Sequence, residues 1–250
     1  MRLCLIALIS MPSLGAAQDV VAEGSDGISF TLGIGARTAP EYFGAEDNAI
    51  GPTGSFSLQQ LEFGPISRGG GDGLGLQFKP SIGFVGARSA DDYAELTGLE
   101  DVDFSFEVGG GLSFTAPAYE VFAKVRQGVS GHGAVVAEVG GDLFYRPSDD
   151  LTLSMGPRVL WGDEDYAQTY FGVTAAESAA SGFDAFEAEA GIMRAGLEAK
   201  AEYQFNDTWG LTGKISYDQL RDDAADSPIT VSDDQVSASV MVTRRITLGF

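Results

Sequence analysis

Apolar and polar residues alternate with a period of two along most of the chain. In residues 27–36, Ile28, Phe30, Leu32, Ile34 and Ala36 fall on one side, and Ser29, Thr31, Gly33 and Gly35 on the other. Residues 103–116 place Phe104, Phe106, Val108, Leu112 and Phe114 on one face. Residues 119–129 set Tyr119, Val121, Ala123 and Val125 against Glu120, Lys124 and Arg126. Residues 151–161 set Leu151, Leu153, Met155, Val159 and Trp161 against Thr152, Ser154 and Arg158. The same holds for Leu197, Ala199, Ala201, Tyr203 and Phe205 against Glu198, Lys200, Glu202 and Gln204 in 195–205. In 209–219, Trp209, Leu211, Ile215 and Tyr217 oppose Thr212, Lys214, Ser216 and Asp218. Residues 51–63, 73–88 and 133–146 are further candidates, and 235–250 ends the series. Successive side chains of a strand point to opposite faces, so the pattern predicts about ten strands. No stretch past the first residues approaches 18 consecutive apolar positions, which excludes helical membrane spans.

The last segment is the most telling. Val236, Ala238, Val240, Val242, Ile246, Leu248 and Phe250 share one face; Gln235, Ser237, Ser239, Thr243, Arg245, Thr247 and Gly249 share the other. An alternating strand that closes on an aromatic resembles the final strand of bacterial outer-membrane barrels. Segments of about ten residues also have the length that crosses a bilayer at barrel tilt. The links alternate in length. Pro117-Ala118, Pro147-Ser148-Asp149-Asp150 and Asn206-Asp207-Thr208 are short, with 64–72 the longest of that set, while 37–50, 89–102, 162–194 and 221–234 are long, with one tight exception around 130–132. Short periplasmic turns and long extracellular loops are the barrel arrangement. The expected fold is therefore all-β, a transmembrane antiparallel up-and-down barrel of about ten strands over residues 27–250. Twelve strands result if 183–194 or the Gly-rich 64–73 adds a hairpin. A soluble sandwich or periplasmic lipocalin-like barrel has the same alternation with the apolar face inward. One residue breaks the pattern: parity points Arg244 at lipid, where a midplane position costs about 2–4 kcal/mol. Either a bulge or snorkelling toward the headgroups relieves it.

The N-terminus reads differently. Arg2, the apolar run 3–9 and the small residues Gly15-Ala16-Ala17 have the form of a secretory signal peptide, residues 1–17, followed by a periplasmic tail, 18–26. Its removal takes away Cys4, the only cysteine, and with it any disulfide or thiol chemistry. The 250 residues carry 36 Asp and Glu against 15 Lys and Arg, a formal charge of −21. Such a chain has no electrostatic footprint for nucleic acid. Its 34 Gly argue against a helical fold, because each costs about 1 kcal/mol in a helix interior.

With the apolar face toward lipid, Glu120, Lys124, Arg126, Glu138, Asp142, Arg146, Arg158, Glu198, Lys200, Glu202, Lys214 and Asp218 fill the lumen. In a narrow barrel side chains of this length pair and occlude the bore. Acid clusters gather at the outer ends: Asp91-Asp92, Glu100-Asp101-Asp103, Asp163-Glu164-Asp165, Asp222-Asp223 with Asp226, and Asp233-Asp234. They read as solvated loop charge, without the spacing of a known calcium loop. The single histidine, His132, lies between two glycines, and no nucleophile motif accompanies it. An omptin-type protease or a barrel phospholipase needs such a histidine. The sequence singles out no catalytic, cofactor-binding or metal-ligating residue, and implies no cofactor.

Three elements carry a family resemblance. Pro40-Glu41-Tyr42-Phe43-Gly44 is similar to a Pro-x-Tyr-x-Gly element after a first strand. Tyr166-Ala-Gln-Thr-Tyr170-Phe171-Gly172-Val173, with Ser181-Gly182, is similar to a long-loop motif. Leu220-Arg-Asp-Asp-Ala-Ala225-Asp226-Ser227-Pro228-Ile229 precedes the closing strand. Together they resemble the MipA/OmpV family of outer-membrane proteins. The resemblance implies a non-enzymatic barrel in the outer membrane of a Gram-negative bacterium. It implies contact with lipid and lipopolysaccharide, and a scaffold role between a murein transglycosylase and a peptidoglycan synthase. A surface adhesin or a small-solute pore acting through the acidic loops is the alternative.

Overall fold

The computed structural model describes residues 27–63, 66–68 and 74–249. The expected signal peptide, the tail 18–26, most of the link 64–73 and Phe250 lie outside them. The strands are β1 Gly27–Pro40, β2 Asn48–Phe63, β3 Ile66–Arg68, β4 Gly75–Val85, β5 Ser105–Thr115 and β6 Tyr119–Gly128. They continue as β7 Val135–Ser148, β8 Leu151–Gly162, β9 Gly191–Gln204, β10 Trp209–Leu220 and β11 Asp234–Gly249. All pairing is antiparallel, in the order β3-β2-β1-β11-β10-β9-β8-β7-β6-β5-β4. The first and last strands run side by side from Gly27 opposite Gly249 to Thr38 opposite Ala238. Sequential neighbours pair everywhere else, which is the up-and-down topology. The sheet curls until β2 and β4 approach each other, and among the described residues no ladder joins them. Each of the ten periodic segments is a strand. The twelve-strand alternative shrinks to β3, three residues paired with the end of β2, while 183–194 contributes one bridge, Phe186 to Val173.

Side-chain exposure separates the membrane barrel from its soluble counterpart. Ile34, Leu76 and Leu143 are 76%, 72% and 70% exposed, whereas lumenal Glu107 is 3% exposed. A soluble barrel would invert that order, because water favours apolar residues inside. Here the apolar face forms an outward belt and the charged face is buried. This is a transmembrane β-barrel.

Arg244 is accommodated without a bulge, since β11 keeps unbroken register through it with both β1 and β10. It lies opposite Trp209, the first residue of β10 after the short turn at Asn206. Its guanidinium sits 5.2 Å from the Trp209 ring. The cation is thus level with a periplasmic turn, at headgroup depth, where Arg and Trp both place polar atoms in the interface. The unbroken register rules out the bulge, and a position beside the turn fits the other expectation, snorkelling.

At the periplasmic end the links are tight turns. Asn206 Oδ1 accepts from the backbone N–H of both Thr208 and Trp209 at 2.9 Å, an Asx turn that sets the β9–β10 hairpin. The opposite end carries structure that alternation did not predict: α1 Glu164–Phe171, α2 Ala175–Ser181 and α3 Asp222–Asp226. Asp163 starts α1 by accepting from Tyr166 N at 3.0 Å. Thr174 and Glu177 form a capping box at α2, each side chain bonded to the other's backbone N–H. These short helices fold over the mouth. The apolar faces of α1 and α3, with Val136, Leu160, Met193 and Leu220 from the strand ends, make one buried cluster. Tyr42, Leu96, Leu99, Val173 and Ile229 make a second.

Candidate functional site

The bore is filled by ion pairs, and glycine placement makes room for them. In β5, Gly109 and Gly111 face the lumen between β4 and β6. With no side chain there, Lys79 of β4 reaches across to Glu120 of β6. Arg126 of β6 donates from Nε to Glu107 at 2.7 Å and from Nη1 to Glu138 at 3.0 Å, and Lys124 stands 3.6 Å from Glu138. A Cβ at Gly83 would lie 2.2 Å from Glu107 Oε2, so only glycine leaves that pair its space. Further round, Arg158 donates to Asp142 at 2.9 Å and to Glu198 at 3.1 Å. Glu198 also holds Lys214 at 3.2 Å. Phe122 lies beneath Lys124 and Arg158, at 4.0 and 5.1 Å, and Gly140 opposite leaves room for its ring. Lys200 pairs with Glu202, and Arg194 with Asp218.

Eleven of the twelve lumenal residues predicted from parity belong to these pairs. Arg146 does not: it donates to Pro117 O and lies over the Phe144 ring, at the periplasmic rim. Lys79, Glu107 and Arg194 complete the set. Among the described residues seven cations meet seven carboxylates, so this network is neutral and the chain's excess negative charge lies elsewhere.

Many loop acids are not free charge. Asp163 accepts from Val135 N as well as Tyr166 N. Asp101 accepts from Ala90 N, Asp222 from Ile192 N and Asp223 from Glu189 N. The clusters read as solvated loop charge are in good part hydrogen-bond acceptors that fasten the loops to one another and to the strand ends. Glu177 illustrates the consequence. Burial pushes its carboxyl up, but the N–H groups of Glu100 and Thr174 outweigh this and hold it below the usual carboxylate range.

His132 is an interior residue, its side chain 0% exposed. It packs edge-on to Tyr166 and Tyr170, with centroids 5.2 and 5.7 Å away. Its Nδ1 accepts from Ala134 N–H at 2.9 Å, which places the proton on Nε2, 3.3 Å from Glu107 Oε1. Both ring nitrogens are therefore engaged. Ser105 Oγ meets the backbone N–H of His132 and the Tyr170 hydroxyl instead of the imidazole. The serine–histidine contact of a nucleophilic triad is not made.

Between the cap and the ion pairs lies a cavity of about 220 Å³. Glu107, Arg126, Arg194 and Asp218 line it, with Tyr42, Phe43, Tyr166 and Tyr170 among the apolar groups around it. Arg88 reaches it from the loop after β4, where a backbone bridge to Val102 fixes it. The candidate segment 73–88 includes Arg88, but β4 ends at Val85, so strand parity does not govern where this side chain goes. Burial pushes its guanidinium below its ordinary value, with Glu177 foremost among the groups that pull it back. Burial also pushes the Tyr170 hydroxyl up to about 12, and Tyr42, with Glu95 nearby, to about 12. Both stay protonated at physiological pH.

The three resemblance-bearing elements meet at this cap. Phe43 packs on Tyr170 in a T-shape with centroids 5.1 Å apart, Ser227 Oγ donates to Phe171 O, and Val231 N donates to Gly44 O at 2.8 Å. The family model described as "MltA-interacting protein MipA" matches residues 32–246. The chain belongs to the MipA family. It is similar to the MltA-interacting proteins of Escherichia coli (strain K12) and Shigella flexneri, 32% identical to each over 87 residues. That segment is 35% of this chain and 35% of either relative, so the match spans about a third of their length. Among solved structures the chain is similar to the COG4313 outer membrane channel from Pseudomonas putida F1, with 9% identity and a TM-score of 0.46. That match covers 93% of this chain and all of the other. It is also similar to OprG from Pseudomonas aeruginosa, with 12% identity and a TM-score of 0.29, over 91% of this chain and 99% of the other. This MipA-family barrel is a protein of the Gram-negative outer membrane.

Proposed function

We propose that the barrel is a non-enzymatic, non-conducting scaffold whose periplasmic end holds a murein transglycosylase and, through it, a peptidoglycan synthase. The observation that carries this reading is the filled bore. Paired side chains from β4 to β10 cross it and a packed cap covers its outer end, which leaves the two ends as working surfaces. The one histidine has no nucleophile on its ring, which supports a non-catalytic role. Membership in a family described as MltA-interacting supports a periplasmic partner of transglycosylase type. Lipid and lipopolysaccharide face the outward apolar belt and the outer rim.

The test is affinity capture of the full chain from detergent-solubilised envelopes. Recovery of a lytic transglycosylase, lost when the periplasmic turns at 117–118, 149–150 and 206–208 are replaced together, is the expected result. Capture with no murein hydrolase or synthase rejects the reading. Planar-bilayer recording addresses the alternative of a pore, for which stepwise conductance is required.

A further inference from the structure

We propose that the cavity beneath the cap binds a small organic monocarboxylate, its carboxylate on Arg88 and its apolar body between the aromatic walls. Arg88 is 7% exposed, yet no carboxylate lies within 4.0 Å of it among the described residues. Glu177 and Asp101 act on it only from beyond that distance. Its one side-chain hydrogen bond among the described residues runs from Nη1 to Tyr170 O at 3.2 Å. A guanidinium has five N–H donors in a planar fork, and Arg88 lines the cavity, so most of that fork has no acceptor among the described residues.

The neighbouring cations differ. Arg126 is held by Glu107 and Glu138, and Arg194 stands 3.6 Å from Asp218. Among the described residues, Arg88 is the buried cation of this cavity without an ion-pair partner; Arg37, which also lines it, is exposed. A buried, unpaired charge is costly, and a ligand that pairs it recovers that cost.

The walls select the rest of the ligand. Phe43, Tyr166 and Tyr170 offer ring faces and edges to a flat or apolar body. Glu41 and Asp218 on the same walls disfavour a second negative charge, which argues for a monoanion over inorganic phosphate or a dicarboxylate. The inference is independent of the scaffold reading, since the cavity is at the opposite end of the barrel.

The test is calorimetric titration of the folded full-length barrel in detergent with benzoate, benzamide and inorganic phosphate. Saturable one-site binding of benzoate is expected, with benzamide and phosphate at least tenfold weaker. Arg88→Gln is expected to weaken benzoate at least tenfold and leave benzamide unchanged, while Arg146→Gln at the periplasmic rim changes benzoate by less than threefold. Folding of each variant is verified by heat-modifiable gel mobility. Because Arg88 also holds Tyr170, Leu220→Phe provides a second variant, narrowing the cavity with Arg88 intact; loss of benzoate binding is expected. No saturable benzoate binding to the wild-type barrel overturns the proposal. So does equal affinity for benzamide, tighter binding of phosphate, or benzoate affinity that survives both Arg88→Gln and Leu220→Phe.

Discussion

Arg126 is the residue on which the lumenal network most depends, and its replacement by Met tests the account of the bore. The side chains of Arg126, Glu107 and Glu138 are 10%, 4% and 21% exposed, so solvent screens these pairs little. Arg126 makes two charge-assisted hydrogen bonds, at 2.7 and 3.0 Å, each worth about 1.5–3 kcal/mol. Against their sum stand the contacts the carboxylates keep. Glu138 retains Lys124 at 3.6 Å, and Glu107 retains His132 Nε2–H at 3.3 Å. Met fills most of the vacated volume, which limits the cavity penalty. Removing one partner of a buried pair costs about 3–5 kcal/mol, and the retained contacts place Arg126→Met near the lower end, at about 3 kcal/mol. The orphaned charge causes much of that loss. Neutralising it in the double variant Arg126→Met with Glu107→Gln should therefore recover at least about 1 kcal/mol relative to the sum of the single changes. Equilibrium urea unfolding of the refolded barrel in lipid vesicles, read by the fluorescence of Trp161 and Trp209, measures both quantities. A loss under about 1 kcal/mol, or strict additivity of the two changes, refutes the view that these pairs hold the bore together.

Other expectations follow from the same geometry. Phe171, 1% exposed at the centre of the cap, should cost about 3–5 kcal/mol on change to Ala; opening confined to the cap appears as faster proteolysis of residues 163–190 with unchanged heat-modifiable mobility. Glu177 titrates below the usual carboxylate range in the folded cap, so its contribution is complete above the unfolded carboxylate value of about 4.3 and is lost as pH falls through the lower folded value. Pepsin sensitivity of the cap should rise below about pH 4 in the wild type, and Glu177→Gln should flatten that dependence. Arg244→Ala should destabilise by no more than about 1 kcal/mol, the size of an exposed cation–π contact; an Arg at the midplane would instead give a gain of about 2–4 kcal/mol. Deleting residues 163–190 alone should leave planar bilayers silent, because the ion pairs below still cross the bore, whereas deletion combined with Arg126→Ser and Arg158→Ser should give stepwise conductance.

The barrel was legible because its signal is local. Parity along one strand decides which residues face lipid, so Glu120, Arg126 and Arg158 could be placed in the lumen without knowing their partners. Lys79 and Glu107 obey the same parity, but neither stands out in the sequence: Lys79 adjoins Pro80 in a weakly alternating segment, and Glu107 is the one charge on a face otherwise made of Ser, Gly and Thr. The cap lacks a comparable signal. Its helices are five to eight residues long, too short for a 3.6-residue period to emerge. Thr174-Ala-Ala-Glu177 is nonetheless a readable capping box. The cavity is legible in no single segment, since Arg88, Phe43 and Tyr170 come from three separate loops. His132 looked like a loop residue because it lies between glycines. It is interior because those glycines, at φ of +68° and +63°, turn the chain inward onto Glu107.

The interlocking of Phe43, Tyr170 and Ser227 also bears on how the molecule is built. These residues follow β1, lie between β8 and β9, and follow β10, so their mutual contacts span nearly the whole sequence. Contacts of such separation form late, after the intervening chain has been ordered. A partly inserted barrel, whatever its strands have achieved, still lacks one of the three contributors and has an open mouth. Closure of the cap therefore marks completed assembly, and resistance of residues 163–190 to an external protease would time the last step of insertion.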